Sequence, residues 1–291
     1  HRIPGAWAGD SSSALNNHSA LLRGGLSIAM SGVSFWGFDM GGFYSTDYHG
    51  NECPPTEEEY VRSVQLGFFM PLSRAHGKTN REPWNFSGRV LDIVRRYDKM
   101  RHELIPYLYS SACESHLQGT PMLRPLLLEY PHDPAVRNQE LSYMLGDSLL
   151  IAPPFERDTY SVCLPQGKWA NVAAGEILQG GCYLDLCPGL EELPVFQREN
   201  SLVLRLPEEY QSYVPEGPFR ELNGTLFYSQ EMDAVYYDES EDGKTEGHKF
   251  CAYEKDGFLC VDTELRLKRL EVITEKTFRG IVINGRLQSE E

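Results

Sequence analysis

Hydrophobic and polar positions along the first half of the chain fall into blocks that alternate between two periods. "GAWAG" (residues 5–9) is short, small and apolar, and predicts a buried strand. Residues 13–30 place Leu15, Leu22 and Leu26 near one helical face, with serine at the start as a cap candidate. "GVSFWGF" (residues 32–38) returns to a β-branched and aromatic run. A helix is predicted to open at Thr56, where "TEEEY" sets acids in the first turn, favourable to the helix dipole. A longer helix is predicted over 88–118 with a bend at Pro106, and "TPMLRPLLLEY" (residues 120–130) reads as a further buried strand. Strand–helix–strand order with buried strands predicts a parallel α/β architecture.

Near Gly146 the texture changes. Short runs bounded by Gly, Pro, Asp and Asn follow one another, with turn signals roughly every ten residues and period-two alternation as in "RLKRLEVI". This predicts one or two β-sandwich domains. The expected divisions are an α/β unit over 1–145, a proximal sandwich over 146–210 and a distal one over 211–291.

Charge narrows the partners. The formal net charge of −15 disfavours nucleic acid and anionic membrane surfaces and suits a neutral ligand. No apolar run reaches the roughly 18 residues of a membrane span. The start, "HRIPGAWAGD", lacks the charged and apolar regions of a signal peptide. Cys53, Cys113, Cys163, Cys182, Cys187, Cys251 and Cys260 are scattered and form no CxxC pair, so neither a zinc site nor a redox motif is expected. Free thiols and a cytoplasmic location are the expectation, with a Cys251–Cys260 disulfide as the alternative.

The candidate chemistry begins with two aspartates. Asp10 and Asp39 both stand where an apolar run gives way to small residues, one βα unit apart. In a parallel α/β fold the carboxyl ends of strands carry the chemistry, so both would face one mouth. Trp7 and Phe43 offer aromatic surface for a sugar ring. Paired carboxylates with aromatics around a neutral ligand suit glycoside hydrolysis, with Asp39 as a possible nucleophile; helix caps or turn aspartates are the plainer explanation. "SRAHGKTNREPW" reads as a polar loop in which His76 binds ligand or caps the next helix. Trp84 and Trp169 are expected in the core. "YYDESEDG" (residues 236–243) reads as a solvated hairpin, with a calcium loop as the alternative.

In this order, "WAGD", "GGLSIAMSGVSFWGFDMGGF", "LGFFMPLSRAHG", "REPW", "RHELIPYLYS", "GTPMLRPLLLEYPHDP", "YMLGDSLLIAPPF" and "LPQGKW" resemble glycoside hydrolase family 31, the retaining α-glucosidases and α-xylosidases. The resemblance covers most of residues 1–200. It implies the carboxyl-terminal part of a (β/α)8 TIM barrel followed by one or two β-sandwich domains, without metal or organic cofactor. Asp10 is then similar to the general acid/base, Trp7 to its aromatic neighbour, Asp39 and His76 to substrate-hydroxyl binders, and Phe43 to a residue packing beside the sugar. The family's nucleophile, an aspartate in a "DMNE"- or "DFGE"-like motif two strands earlier, has no counterpart here; "FDMGG" only echoes it. The expected chain is therefore the carboxyl-terminal portion of a larger enzyme acting on an oligosaccharide or glycoside. The rest of its barrel would come from an amino-terminal segment or another chain, and by itself it would be inactive. A non-catalytic carbohydrate-binding protein of the same fold is the alternative.

Overall fold

Parallel pairing runs through the first part of the computed structural model, which describes residues 5–78, 80–155, 159–210, 213–214 and 217–288. Strand β1 (Gly5–Trp7) leads into helix α1 (Leu15–Ala29), then β2 (Phe35–Gly37) and, one residue on, β3 (Asp39–Met40). Helix α2 (Glu57–Phe68) returns the chain to β4 (Arg74–Ala75). β1 runs parallel to β2, and β3 parallel to β4 with Asp39 opposite Arg74. Three neighbouring strand positions thus run in one direction with helices between them.

The helices explain themselves locally. Thr56 and Glu59 form a reciprocal capping box, each side chain taking the other's backbone N–H, and Glu57–Glu59 sit at the positive end of α2. α1 buries Leu22, Leu26 and Ala29. Gly25 is required there: a Cβ would lie 2.6 Å from the Trp36 ring. The helix expected over 88–118 is two, α3 (Gly88–Glu103) and α4 (Ile105–Gln118), broken at Leu104. Pro106 has no N–H to continue the ladder, which turns the expected bend into a break.

"TPMLRPLLLEY" does not supply the next parallel strand. Only β5 (Leu123–Pro125) is extended; it pairs antiparallel with β6 (Tyr143–Leu145), and Leu126–Glu129 winds into the short helix α5. The third parallel position belongs to β4, within the stretch expected to be a polar loop.

The second region adds β7 (Leu149–Ile151), β8 (Tyr160–Leu164), β9 (Lys168–Asn171), β10 (Ile177–Gln179), β11 (Cys182–Leu186) and β12 (Val195–Arg198). One sheet has the order β10-β9-β12-β7-β6-β5, and β8 and β11 form a second. Met144, Leu150, Val162, Leu164, Trp169 and Phe196 make a shared core. The division expected at 145/146 therefore cuts the β6–β7 hairpin, and this sheet already begins at Leu123.

The third region comprises β13 (Ser201–Arg205), β14 (Leu222–Phe227), β15 (Met232–Glu239), β16 (Thr245–Lys255), β17 (Phe258–Thr263), β18 (Leu267–Ile273), β19 (Ile281–Ile283) and β20 (Arg286–Leu287). A β13-β14-β18 sheet and a β15-β16-β17-β19-β20 sheet enclose Leu202, Leu226, Phe250 and Val261. β13 belongs to this region, so it begins before the division expected at 210/211.

The tryptophans and the "YYDESEDG" stretch can be placed directly. Trp169 is buried, but Trp84 is 70 % exposed: it sits on a short 3-10 turn at the surface, not in the core. The "YYDESEDG" stretch is the solvated β15–β16 hairpin, where Asp242 takes Lys244 and the Ser240 hydroxyl. Among the described residues no three His, Cys, Asp or Glu side chains come together to hold a metal, and no helix is long and apolar enough to cross a membrane. All seven cysteines are free; Cys251 faces Asp262 and Cys260 faces Tyr253 across β16–β17.

Candidate active site

The carboxyl ends of β1, β3 and β4 converge, and the side chains found there are Trp7, Asp10, Asp39, Arg74 and His76. Gly9, with φ +82°, turns the chain after β1 and leaves Asp10 exposed. Asp39 is its opposite. Its side chain is wholly buried, and Oδ1 accepts from the Trp7 indole Nε1–H at 2.9 Å and the Arg74 Nε–H at 3.1 Å. The Arg74 Nη2 closes an ion pair on the same oxygen. The Arg74 guanidinium also lies over the Trp7 ring, 5.0 Å from its centre. One buried carboxylate thus fixes an indole by its edge and, through the arginine, by its face.

The loop after β3 is fastened at each step. Gly41 N–H donates to the Ser63 hydroxyl, the Gly42 carbonyl accepts from the buried Arg81 Nε–H at 2.7 Å, and Phe43 N–H donates to the Ser11 carbonyl. Gly42 has φ +75°, and a Cβ there would meet the Ser13 backbone at 2.5 Å, so only glycine fits. Phe43 stands half-buried with the His76 ring 5.5 Å away, and Lys78 Nζ lies 5.8 Å above it. β4 is itself positioned from behind. Arg101 on α3 donates to the carbonyls of Phe68, Met70 and Pro71, and Tyr143 to that of Phe69. Burial holds the Arg101 guanidinium down at about 10, still cationic at neutral pH.

The structure joins Trp7 to Asp39 and Arg74, and Phe43 to His76, in the segments around β3 and β4, and leaves Asp10 exposed three residues beyond Trp7. Asp39 anchors Trp7 and Arg74 through Oδ1 alone, while its buried Oδ2 has no hydrogen-bond partner among the described residues. Sequence reasoning passed over Arg74 by reading "SRAHG" as loop. The available signal was spacing: Arg74 and His76, two apart on extended backbone, project to one side.

Two family profiles match the chain. The one described as "Glycosyl hydrolases family 31 TIM-barrel domain" covers residues 1–111, and "Glycosyl hydrolase family 31 C-terminal domain" covers 119–203. The chain belongs to glycoside hydrolase family 31. The family's C-terminal domain starts just ahead of β5, as the sheet does. Among curated relatives, Alpha-glucosidase 2 of Bacillus thermoamyloliquefaciens is 29% identical over 94% of this chain and 34% of its own length. An Alpha-xylosidase of Emericella nidulans is 32% identical over 74% of this chain and 28% of its own length. The cycloalternan-forming enzyme of Listeria monocytogenes, solved with a pentasaccharide substrate, superposes with a TM-score of 0.77 at 27% identity, covering 86% of this chain and 25% of that one. The chain thus spans about a third or less of these proteins. Its fold is the carboxyl-terminal part of the family's barrel followed by its β domains.

Proposed function

We propose that this chain supplies the acid/base side of a retaining α-glycosidase active site, of α-glucosidase or α-xylosidase type, acting on the terminal sugar of an α-linked oligosaccharide. The observation that carries this reading is the contrast between an exposed carboxylate, Asp10, and an aromatic and cationic group anchored by buried Asp39. The α-glucosidase and α-xylosidase among the relatives support the sugar class.

In this mechanism a carboxylate from a part of the barrel outside these 291 residues attacks the anomeric carbon. Asp10, protonated, gives its proton to the leaving oxygen, so that bond breaks without expelling an alkoxide. Asp10 then takes a proton from water, whose oxygen adds to the anomeric carbon and releases the sugar with its configuration retained. Trp7 presents its indole to the sugar, Phe43 packs beside the ring, and His76 hydrogen-bonds a hydroxyl. Asp39 acts through Trp7 and Arg74 and keeps both from rearranging as charge develops.

The test is hydrolysis of aryl α-glucoside and aryl α-xyloside, with the first-formed anomer followed by NMR. The longer chain carrying the rest of the barrel is expected to release the α-sugar first, and residues 1–291 alone to give no turnover. Turnover by residues 1–291 alone would overturn the assignment of the nucleophile to the rest of the barrel. Release of the β-sugar would overturn the retaining mechanism.

A further inference from the structure

Beyond Phe43 the chain does not pass directly into α2 but first builds a small hairpin. Its base is sewn to the residues that follow Asp10: Ser12 and Tyr44 form a parallel bridge, and Ser13 N–H donates to the Tyr44 carbonyl at 2.9 Å. Thr46 pairs antiparallel with Glu52, and Cys53 N–H donates to the Ser45 carbonyl at 3.0 Å. At the tip the Asp47 carboxylate accepts three hydrogen bonds, from His49 N–H at 2.9 Å, Asn51 N–H at 2.8 Å and the Asn51 amide at 3.1 Å. These bonds favour the charged carboxylate and lower its pKa.

What this tip displays is aromatic. Tyr48 is 91 % exposed and its ring centre lies 3.8 Å from that of His49, the planes tilted by 39°. Within these residues the ring packs against no core side chain. It does offer a flat face of the size of one pyranose, with its chain order already fixed before any ligand arrives.

We propose that Tyr48, backed by His49, forms the wall of the subsite for the leaving-group sugar, stacking on the apolar face of the pyranose bonded to the scissile oxygen. The proposal rests on the acid/base reading of Asp10, because that carboxylate marks where the leaving oxygen lies. The sugar being cleaved is served by Trp7, Phe43 and His76 at the strand ends. The hairpin is rooted at Ser11–Ser13, directly after exposed Asp10 in the chain. The ligand class is a neutral α-linked oligosaccharide, and Tyr48 is a specificity-determining residue for its second sugar.

The experiment uses the full-length enzyme with two substrates. One is the disaccharide turned over fastest among maltose, isomaltose and isoprimeverose. The other is the matching glycosyl fluoride, which has no leaving-group sugar. Tyr48→Ala is expected to lower kcat/KM on the disaccharide about tenfold more than on the fluoride, and Tyr48→Phe to restore most of that ratio. An equal loss on both substrates, as from a hairpin that merely shapes the loop around Asp10, would overturn the proposal; so would an unchanged ratio. Failure of the wild-type enzyme to turn over the fluoride would instead overturn the glycosidase reading, and this proposal with it.

Discussion

Asp10 and Asp39 follow the neighbouring parallel strands β1 and β2, after similar apolar runs and before similar small residues, yet their surroundings are opposite. Asp10 meets solvent; Asp39 is buried with an indole and a guanidinium on one oxygen. The difference arises one strand further on. β4 runs parallel to β3 and brings Arg74 level with Asp39, whereas β1 and β2 run level only as far as Trp7 and Gly37. What a strand-end carboxylate does is therefore decided by its neighbour in the sheet, not by its own flanking residues.

The largest expected effect lies on the exposed side. In the full-length enzyme Asp10→Asn is predicted to lower kcat on oligosaccharides by about 10³-fold, the contribution of a lost general acid, while leaving the thermal midpoint within the small range typical of surface changes. Steady-state kinetics beside thermal unfolding checks both halves. A variant that kept its turnover would break the comparison at once.

On the closed side the first prediction concerns stability in acid. His18 on α1 is fully buried against Phe38, with neither ring nitrogen hydrogen-bonded among the described residues, and burial pushes its pKa from 6.5 down to about 4. The folded chain binds this proton less readily than the unfolded one. The contribution to stability is thus present above about pH 6.5 and is lost as pH falls towards 4, amounting to about 3 kcal/mol. His18→Leu should flatten that part of the stability–pH curve, read by urea unfolding at pH 7 and pH 4.5. A variant with an unchanged slope would show that another group carries the acid sensitivity.

A smaller effect is expected of Asp39→Ala. Removing the anchor leaves Arg74 and the Trp7 indole without their acceptor and should cost about 2 kcal/mol, less than a fully buried pair because Arg74 is half exposed. The same variant should bind sugar more weakly through a disordered Trp7, followed by tryptophan fluorescence. A change confined to catalysis, with stability untouched, would show that the anchoring contacts contribute nothing to the fold.

Much of this was legible in the chain. Block alternation identified the parallel region, the acids after Thr56 marked the start of α2, and short runs between turn residues identified the β regions. The motifs from "WAGD" to "LPQGKW" carried the family. The misreadings have physical causes. An apolar run such as "LRPLLLEY" suits a buried strand or a helical turn equally, and only the antiparallel partner Tyr143–Leu145 decides. A two-residue strand such as Arg74–Ala75 is too short to show a period. Spacing placed Asp39 at a strand end but could not say that its carboxylate turns inward, since that depends on a residue 35 positions away. Tyr48 was hidden by the polar residues around it.

The most direct measurement is the anomer formed when azide rescues a carboxylate deletion in the full-length enzyme. If Asp10 is the acid/base, Asp10→Ala with an aryl α-glycoside should be accelerated by azide and yield the α-glycosyl azide, because the glycosyl-enzyme forms first and azide replaces the water. Asp39→Ala should yield no glycosyl azide. A β-glycosyl azide from Asp39→Ala would contradict the account, for it would mean that azide had replaced the nucleophile and that the buried aspartate, not a residue elsewhere in the barrel, attacks the sugar.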